Sequence, residues 1–155
     1  MKRENDYTNR NKAIALMNHL KDQGDISENR EIFDYTESNY DESLFECGHE
    51  YMVLTEPEAD EKVREYIKES LWAFNASFLS SFTDLPEEIF EAMQEQCEGA
   101  NDTILKLVEN NGSGLSNLVE DAIGADGRGH FISSYDGQEY EASVNGNDYY
   151  IYRTN

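Results

Sequence analysis

Apolar positions recur at helical spacing through most of the chain and alternate with polar ones near its end. Ala13, Ile14, Leu16, Met17 and Leu20 make one stripe, so residues 8 to 22 predict a helix capped by Thr8 and ended at Gly24. Residues 25 to 49 show no clean period. Ile32, Phe33, Tyr35, Tyr40, Leu44 and Phe45 are scattered among acids there, which predicts a long ordered loop with a short helical turn near Asp41 to Phe45. Glu50 to Thr55 reads as a short buried strand.

Thr55-Glu56-Pro57-Glu58 is a strong helix start. Thr55 can cap, Pro57 suits the first turn, and Glu58 stands three residues on, as in a capping box. That helix should reach about Phe74, with Ala59, Val63, Tyr66, Ile67, Ser70, Leu71 and Phe74 on its inner face, and a short piece over residues 76 to 82 should follow. Asp84, as cap, opens the next helix with Pro86 and Glu87, predicted to run to about Glu109 before Gly112 and Gly114. Residues 116 to 123 form one more helix, ended by Gly124. In the tail, Gly129 to Tyr135, Glu139 to Val144 and Tyr149 to Arg153 read as three strands, joined at Asp136-Gly137 and at Asn145-Gly146-Asn147-Asp148. The expected fold is α+β: several helices on a small antiparallel sheet made of a C-terminal β-meander plus one central strand. The length fits a single acidic domain over residues 1–155, with the helix of residues 1–24 peripheral.

Composition changes this picture in one respect. Apolar residues make up only 38% of the chain, but ten Tyr, seven Phe and one Trp supply the burial that keeps it out of the disordered class. The 33 acidic and 12 basic residues give a net charge of −21. Such a field repels DNA, RNA and anionic lipid and points toward a basic partner. No apolar run is long enough to span a bilayer, and Met1 to Asp6 lacks the apolar stretch of a signal peptide. Cys47 and Cys97 are then two reduced thiols, and the expected location is the cytoplasm of a bacterial host.

The acids are concentrated. Residues 25–61 carry a net −12 and residues 84–121 a net −9. On the helix from Pro86, Glu88, Glu91, Glu95, Glu98 and Asp102 are spaced 3, 4, 3 and 4 apart. At roughly 100° per residue they share one face, with successive carboxylates about 5–6 Å apart. Ile89, Met93, Cys97, Ala100, Ile104 and Leu107 fall on the opposite face. Almost no Lys or Arg stands at i+4 to relieve the repulsion. The bland alternatives are a solvated helix face and a surface adapted to salt. The sharper one is a row of carboxylates standing in for phosphates, helped by Asp34, Glu37, Asp41 and Glu42.

Other chemistry finds little support. Cys47, His49, Cys97, His19 and His130 lack a zinc-ligand spacing, and no calcium loop is present. No cofactor is called for. Gly124-Ala125-Asp126-Gly127-Arg128-Gly129-His130 is Gly-rich but lacks the residues of a nucleotide loop. Arg128 and His130 are expected to pair with Asp126 or Asp136, or to mark a contact loop. Cys47 and His49 at i, i+2 would be the one candidate nucleophile–base pair. Tyr149 and Tyr152 head a tyrosine-rich sheet that offers a second kind of contact surface.

The run Ala122 to Phe131, the segment Ser134 to Gly137, the closing Tyr149-Tyr150-Ile151-Tyr152-Arg153 and the block Glu69 to Asn75 resemble small acidic proteins encoded by bacteriophages and prophages. The resemblance covers residues 58 to 155. Its family has no assigned function and lends no site residues. It implies a host-takeover or defence-evasion context, in which several such factors imitate nucleic acid. The resulting expectation is a non-enzymatic inhibitor, of anti-CRISPR or anti-restriction type, bound to a basic, nucleic-acid-binding host complex, with no direct contact to nucleic acid or membrane. A homodimer is left open. The alternatives are an interaction module acting through the tyrosine-rich sheet and a small enzyme using the Arg128/His130 loop.

Overall fold

A computed structural model describes the backbone of residues 4–24, 36–38 and 41–155, with side chains described over 10–24 and 43–155. The chain is α+β and divides into two compact units, Met1–Asp60 with Arg128–Asn155, and Glu61–Gly127.

The first unit holds the sheet. Its elements are α1 (Glu4–Asp22), β1 (Thr36–Ser38), β2 (Asp41–Cys47), β3 (His49–Leu54), the first turn of α2 (Glu56–Ser70), α7 (Arg128–Ile132), β4 (Tyr140–Val144) and β5 (Asn147–Arg153). The five strands are antiparallel in the order β1-β2-β3-β5-β4. Strand alternation sorts the side chains onto two faces. Phe45, Tyr51, Val53, Tyr149 and Ile151 point to one side, where Ala13, Leu16 and Leu20 of α1 cover them. Leu54 and Tyr152 point to the other, with Ala59 of α2 and Ile132 of α7 packed on them.

The second unit is helical. It comprises the rest of α2, a 3₁₀ turn (Leu71–Ala73), α3 (Ala76–Thr83), α4 (Glu87–Gln94), a second 3₁₀ turn (Cys97–Ala100), α5 (Asn101–Asn111) and α6 (Leu115–Asp126). Ile67, Leu71, Leu79, Phe90, Ile104 and Leu118 are wholly buried.

The sheet departs from expectation in two places. Residues 36–38 and 41–47, read as loop with a helical turn, form β1 and β2. Ser43, Phe45 and Cys47 are buried and alternate with Leu44 and Glu46, so the period of two is present but masked by neighbouring acids. The remainder of that predicted loop, with Ile32, Phe33, Tyr35 and Tyr40, lies outside the described residues. Conversely, the strand expected at Gly129 to Tyr135 is the short helix α7 followed by a turn. An apolar run of that length does not distinguish helix from strand. Gly129 decides it: a Cβ there would stand 2.5 Å from the Gly137 carbonyl oxygen, so only glycine lets α7 lie against the following turn. The C-terminal element of the sheet is therefore a hairpin, β4–β5, rather than a three-stranded meander.

Candidate functional site

The acids of residues 84–121 sit on α4, α5, α6 and the turns joining them, with Asp84 at the end of α3. The helix expected from Pro86 to Glu109 is broken over residues 95–100, and the cause is visible in side chains that cap other elements. Gln94 Nε2 donates to the carbonyl oxygens of Phe74 at 2.6 Å and Leu71 at 3.4 Å. Asn101 Nδ2 donates to Lys68 O at 2.7 Å, while its Oδ1 accepts from Trp72 N–H at 3.2 Å. These bonds satisfy the backbone at the C-terminal end of α2 and its 3₁₀ extension. Between Gln94 and Asn101 the chain passes through Cys97 at φ 54°, a left-handed conformation that ends the helical path. Asp84 is likewise no N-cap. It closes α3 at φ 61°, its N–H donating to Ser80 O, and α4 starts after Pro86.

Because of this break, Glu88 and Glu91 lie on α4, Glu95 in the connecting turn, Glu98 on the second 3₁₀ turn and Asp102 at the start of α5. They do not form the single straight helical row that their spacing predicted. The phase of α4 also differs. Phe90 is its buried residue, Ile89 is 41% exposed, and Cys97 is exposed rather than inward. What survives is exposure without neutralisation. All ten acids between residues 84 and 121 are exposed, and none takes part in an ion pair among the described residues. Glu109 spends one oxygen on the N–H of Leu115, 3.0 Å away, at the start of α6. Glu37, Asp41 and Glu42 fall on β1 and β2, and Asp34 lies outside the described residues.

The cations are placed differently. Lys12 is only 2% exposed and its Nζ reaches both oxygens of Glu58, at 2.9 and 3.1 Å. Glu58 also accepts from the N–H and hydroxyl of Thr55, each at 2.9 Å, which is the expected capping box with a lysine added. Burial would raise the Glu58 pKa. The Thr55 and Lys12 hydrogen bonds and the Lys12 charge outweigh it and hold the carboxyl below the ordinary glutamate range.

Arg128, read as pairing with Asp126 or Asp136, instead joins Glu139 in a bidentate pair at 2.9 and 3.1 Å and reaches Asp60 at 3.1 Å. Glu56 stands 4.0 Å away, and the guanidinium carbon lies 4.4 Å from the Tyr150 ring centre. Tyr152 donates its hydroxyl to Glu139 at 2.5 Å. Burial works against the Arg128 charge, but the Glu139 hydrogen bond prevails and raises its pKa. Burial and the same carboxylate raise that of Tyr152. A guanidinium fixed this way ties the start of α7 to the strand region and to α2. It is no acid–base group. His130 is exposed, edge-on to Phe131.

The remaining sequence candidates separate. Cys47 is buried and His49 exposed, so they make no nucleophile–base pair. Tyr149 is 3% and Tyr152 0% exposed, so neither offers a contact surface; among the described residues Tyr66 and Tyr135 are the exposed tyrosines. Among the described residues no group of three His, Cys, Asp or Glu could hold a metal ion, and no helix is long and apolar enough to cross a membrane. Sequence reasoning missed Lys12, whose partner Glu58 stands 46 residues away, and Glu139, which meets Arg128 across the segment that the sequence reads as a strand. Comparison with protein families, curated proteins and solved structures finds no match.

Proposed function

We propose that this chain is a non-enzymatic, phage-type inhibitor that places carboxylates in the basic nucleic-acid channel of a host defence complex, such as a CRISPR effector or a restriction enzyme. The observation that carries this reading is the surface of residues 84–121, where ten exposed acids lack an ion-pair partner among the described residues. Lys12 and Arg128 pair with acids of their own unit. Carboxylates kept unpaired repel one another by about 0.2–0.5 kcal/mol per close pair. A positively charged cleft removes that cost and gains from steering. Glu88, Glu91, Glu95, Glu98 and Asp102 make the contact.

The test is capture from bacterial lysate at low and high salt, followed by displacement with duplex DNA and with RNA. A basic, nucleic-acid-binding protein should be held at low salt, released at high salt and displaced by the nucleic acid. The variant carrying Glu88→Lys, Glu91→Lys, Glu95→Lys and Glu98→Lys should capture none of it while its circular dichroism is unchanged. Capture that survives these reversals, or that nucleic acid does not displace, defeats the proposal.

A further inference from the structure

The sheet ends differently on its two sides. β1 has three residues, and its register shifts between Glu37 and Ser38. Short length and a bulge both blunt a strand edge against further pairing. β4, at the opposite end, has neither protection. Its five residues pair with β5 in unbroken register from Tyr140–Ile151 to Val144–Asn147, with no Pro, Lys or bulge.

The turn fixes which backbone groups of β4 face outward. Asn145 and Gly146, at φ 52° and 81°, form the two-residue turn between Val144 and Asn147. The closing pair of such a hairpin exchanges both hydrogen bonds, and the pattern then alternates. Tyr140, Ala142 and Val144 thus bond to β5, while Glu141 and Ser143 turn their N–H and C=O groups away from it. Thr154 N–H, donating to Glu50 O at 2.9 Å, sets the same phase on β5, with even-numbered residues bonding to β3 and odd-numbered ones to β4. Among the described residues no strand takes the outward groups of Glu141 and Ser143.

An open groove of about 630 Å³ follows this edge. Glu141, Ala142 and Ser143 form its strand side, and Asn18, Lys21 and Asp22 from the end of α1 form its helix side. A strand edge facing a helix across a groove is how extended peptides add to sheets: main-chain bonds supply affinity and alternate side chains meet the walls.

We propose that the β4 edge binds an extended, basic segment of a partner protein as a sixth strand. Charge selects the occupant. The chain carries −21, and the carboxylates of Asp22, Glu141 and Asp148, the last bonded to Ser143 Oγ, outnumber Lys21 around the edge. A second copy would bring another −21 to the same place and be repelled. The inference uses none of the acids of residues 84–121 and holds whether or not those enter a nucleic-acid channel.

The test titrates the full-length, ¹⁵N-labelled protein with a capped peptide of alternating Lys and Val, about ten residues long. Two controls are the same peptide with every internal amide N-methylated and a peptide of alternating Glu and Val. The Lys–Val peptide should slow solvent exchange of the Glu141 and Ser143 amides about tenfold and leave the Ala142 amide, already bonded to β5, unchanged. Both controls should bind at least about tenfold more weakly. Ser143→Pro removes an outward N–H and keeps the backbone pairing with β5, and should weaken binding to the same degree; Ser143→Ala, which loses only the side-chain bond to Asp148, is its control and should bind as the parent does. Equal binding of the N-methylated peptide would mean attraction by charge alone and overturns the proposal; that comparison needs no variant to fold. No binding of the Lys–Val peptide at millimolar concentration also overturns it. So does protection of Glu141 and Ser143 in the free protein that grows with protein concentration, since a second copy would then hold the edge.

Discussion

Lys12 and Glu58 show what one buried charge asks of its neighbours. An ammonium that is 2% exposed has lost its water, and Glu58 supplies the compensating charge while also closing the capping box of α2. Removing one member of a buried pair costs about 3–5 kcal/mol, because the other is stranded. Glu58 is itself 43% exposed, so solvent screens part of that loss, and about 1–3 kcal/mol is the expected cost of Glu58→Gln in urea denaturation. Lys12→Met removes the stranded charge instead and should cost less than Glu58→Gln; the reverse ranking would show that the cation is not the strained partner. Glu58 titrates below the ordinary glutamate value of 4.5 in the folded chain, so its stabilisation is complete above that pH and is lost as pH falls through the lower folded value. The Glu58→Gln variant should therefore show a shallower loss of stability on acidification than the parent. The capping box was legible, since Thr55 and Glu58 are neighbours in sequence. Lys12, forty-six residues from Glu58, carried no local signal of its role.

Elements were legible where a local pattern and its stop signals coincided. α2, α3, β3 and the β4–β5 hairpin lie close to where periodicity, caps and turn residues place them, whereas α1 starts at Glu4, four residues before its expected cap Thr8, and α6 runs through its expected stop Gly124 to Asp126. The failures have one physical form: a tertiary bond overrides a local pattern. Gln94 and Asn101 satisfy carbonyls of another helix, so the helical period from Pro86 breaks although the sequence continues it. Gly129 meets the backbone of residues 137–138, so an apolar run that suits a strand coils instead. Each gives a test. Gly129→Ala would force a Cβ against backbone atoms that cannot swing aside, at about 1–3 kcal/mol, and should lower the melting temperature by several degrees. Because α7 carries Arg128, this variant should also loosen the Arg128–Glu139 pair and speed amide exchange across β4. A neutral Gly129→Ala would show that the turn yields easily and that glycine is not what selects the helix. The acidic site was half legible for the same reason. The identity and exposure of Glu88, Glu91, Glu95, Glu98 and Asp102 followed from sequence, but their straight alignment did not survive the break.

Over the whole molecule, the net charge of −21 and the internal ion pairs make opposite demands on salt. The pairs at Lys12 and Arg128 are close and partly shielded from solvent, so ions weaken them little. The carboxylates of residues 84–121 are exposed and unpaired among the described residues, so ions relieve their repulsion directly. Raising sodium chloride from about 0.02 to 0.5 M shrinks the screening length from tens of ångströms to a few, and the folded state, where the acids are held close, gains more than the expanded chain. Urea, which is uncharged, should show this as a gain of about 1 kcal/mol at high salt, with an unchanged slope against denaturant. Replacing Glu88, Glu91, Glu95 and Glu98 by Gln should raise stability at low salt and flatten the salt response, because the repulsion being screened is then smaller. If salt destabilises the parent instead, attraction between paired charges dominates its electrostatics. The exposed acids would then cost the fold nothing, and a basic partner would have no repulsion to relieve.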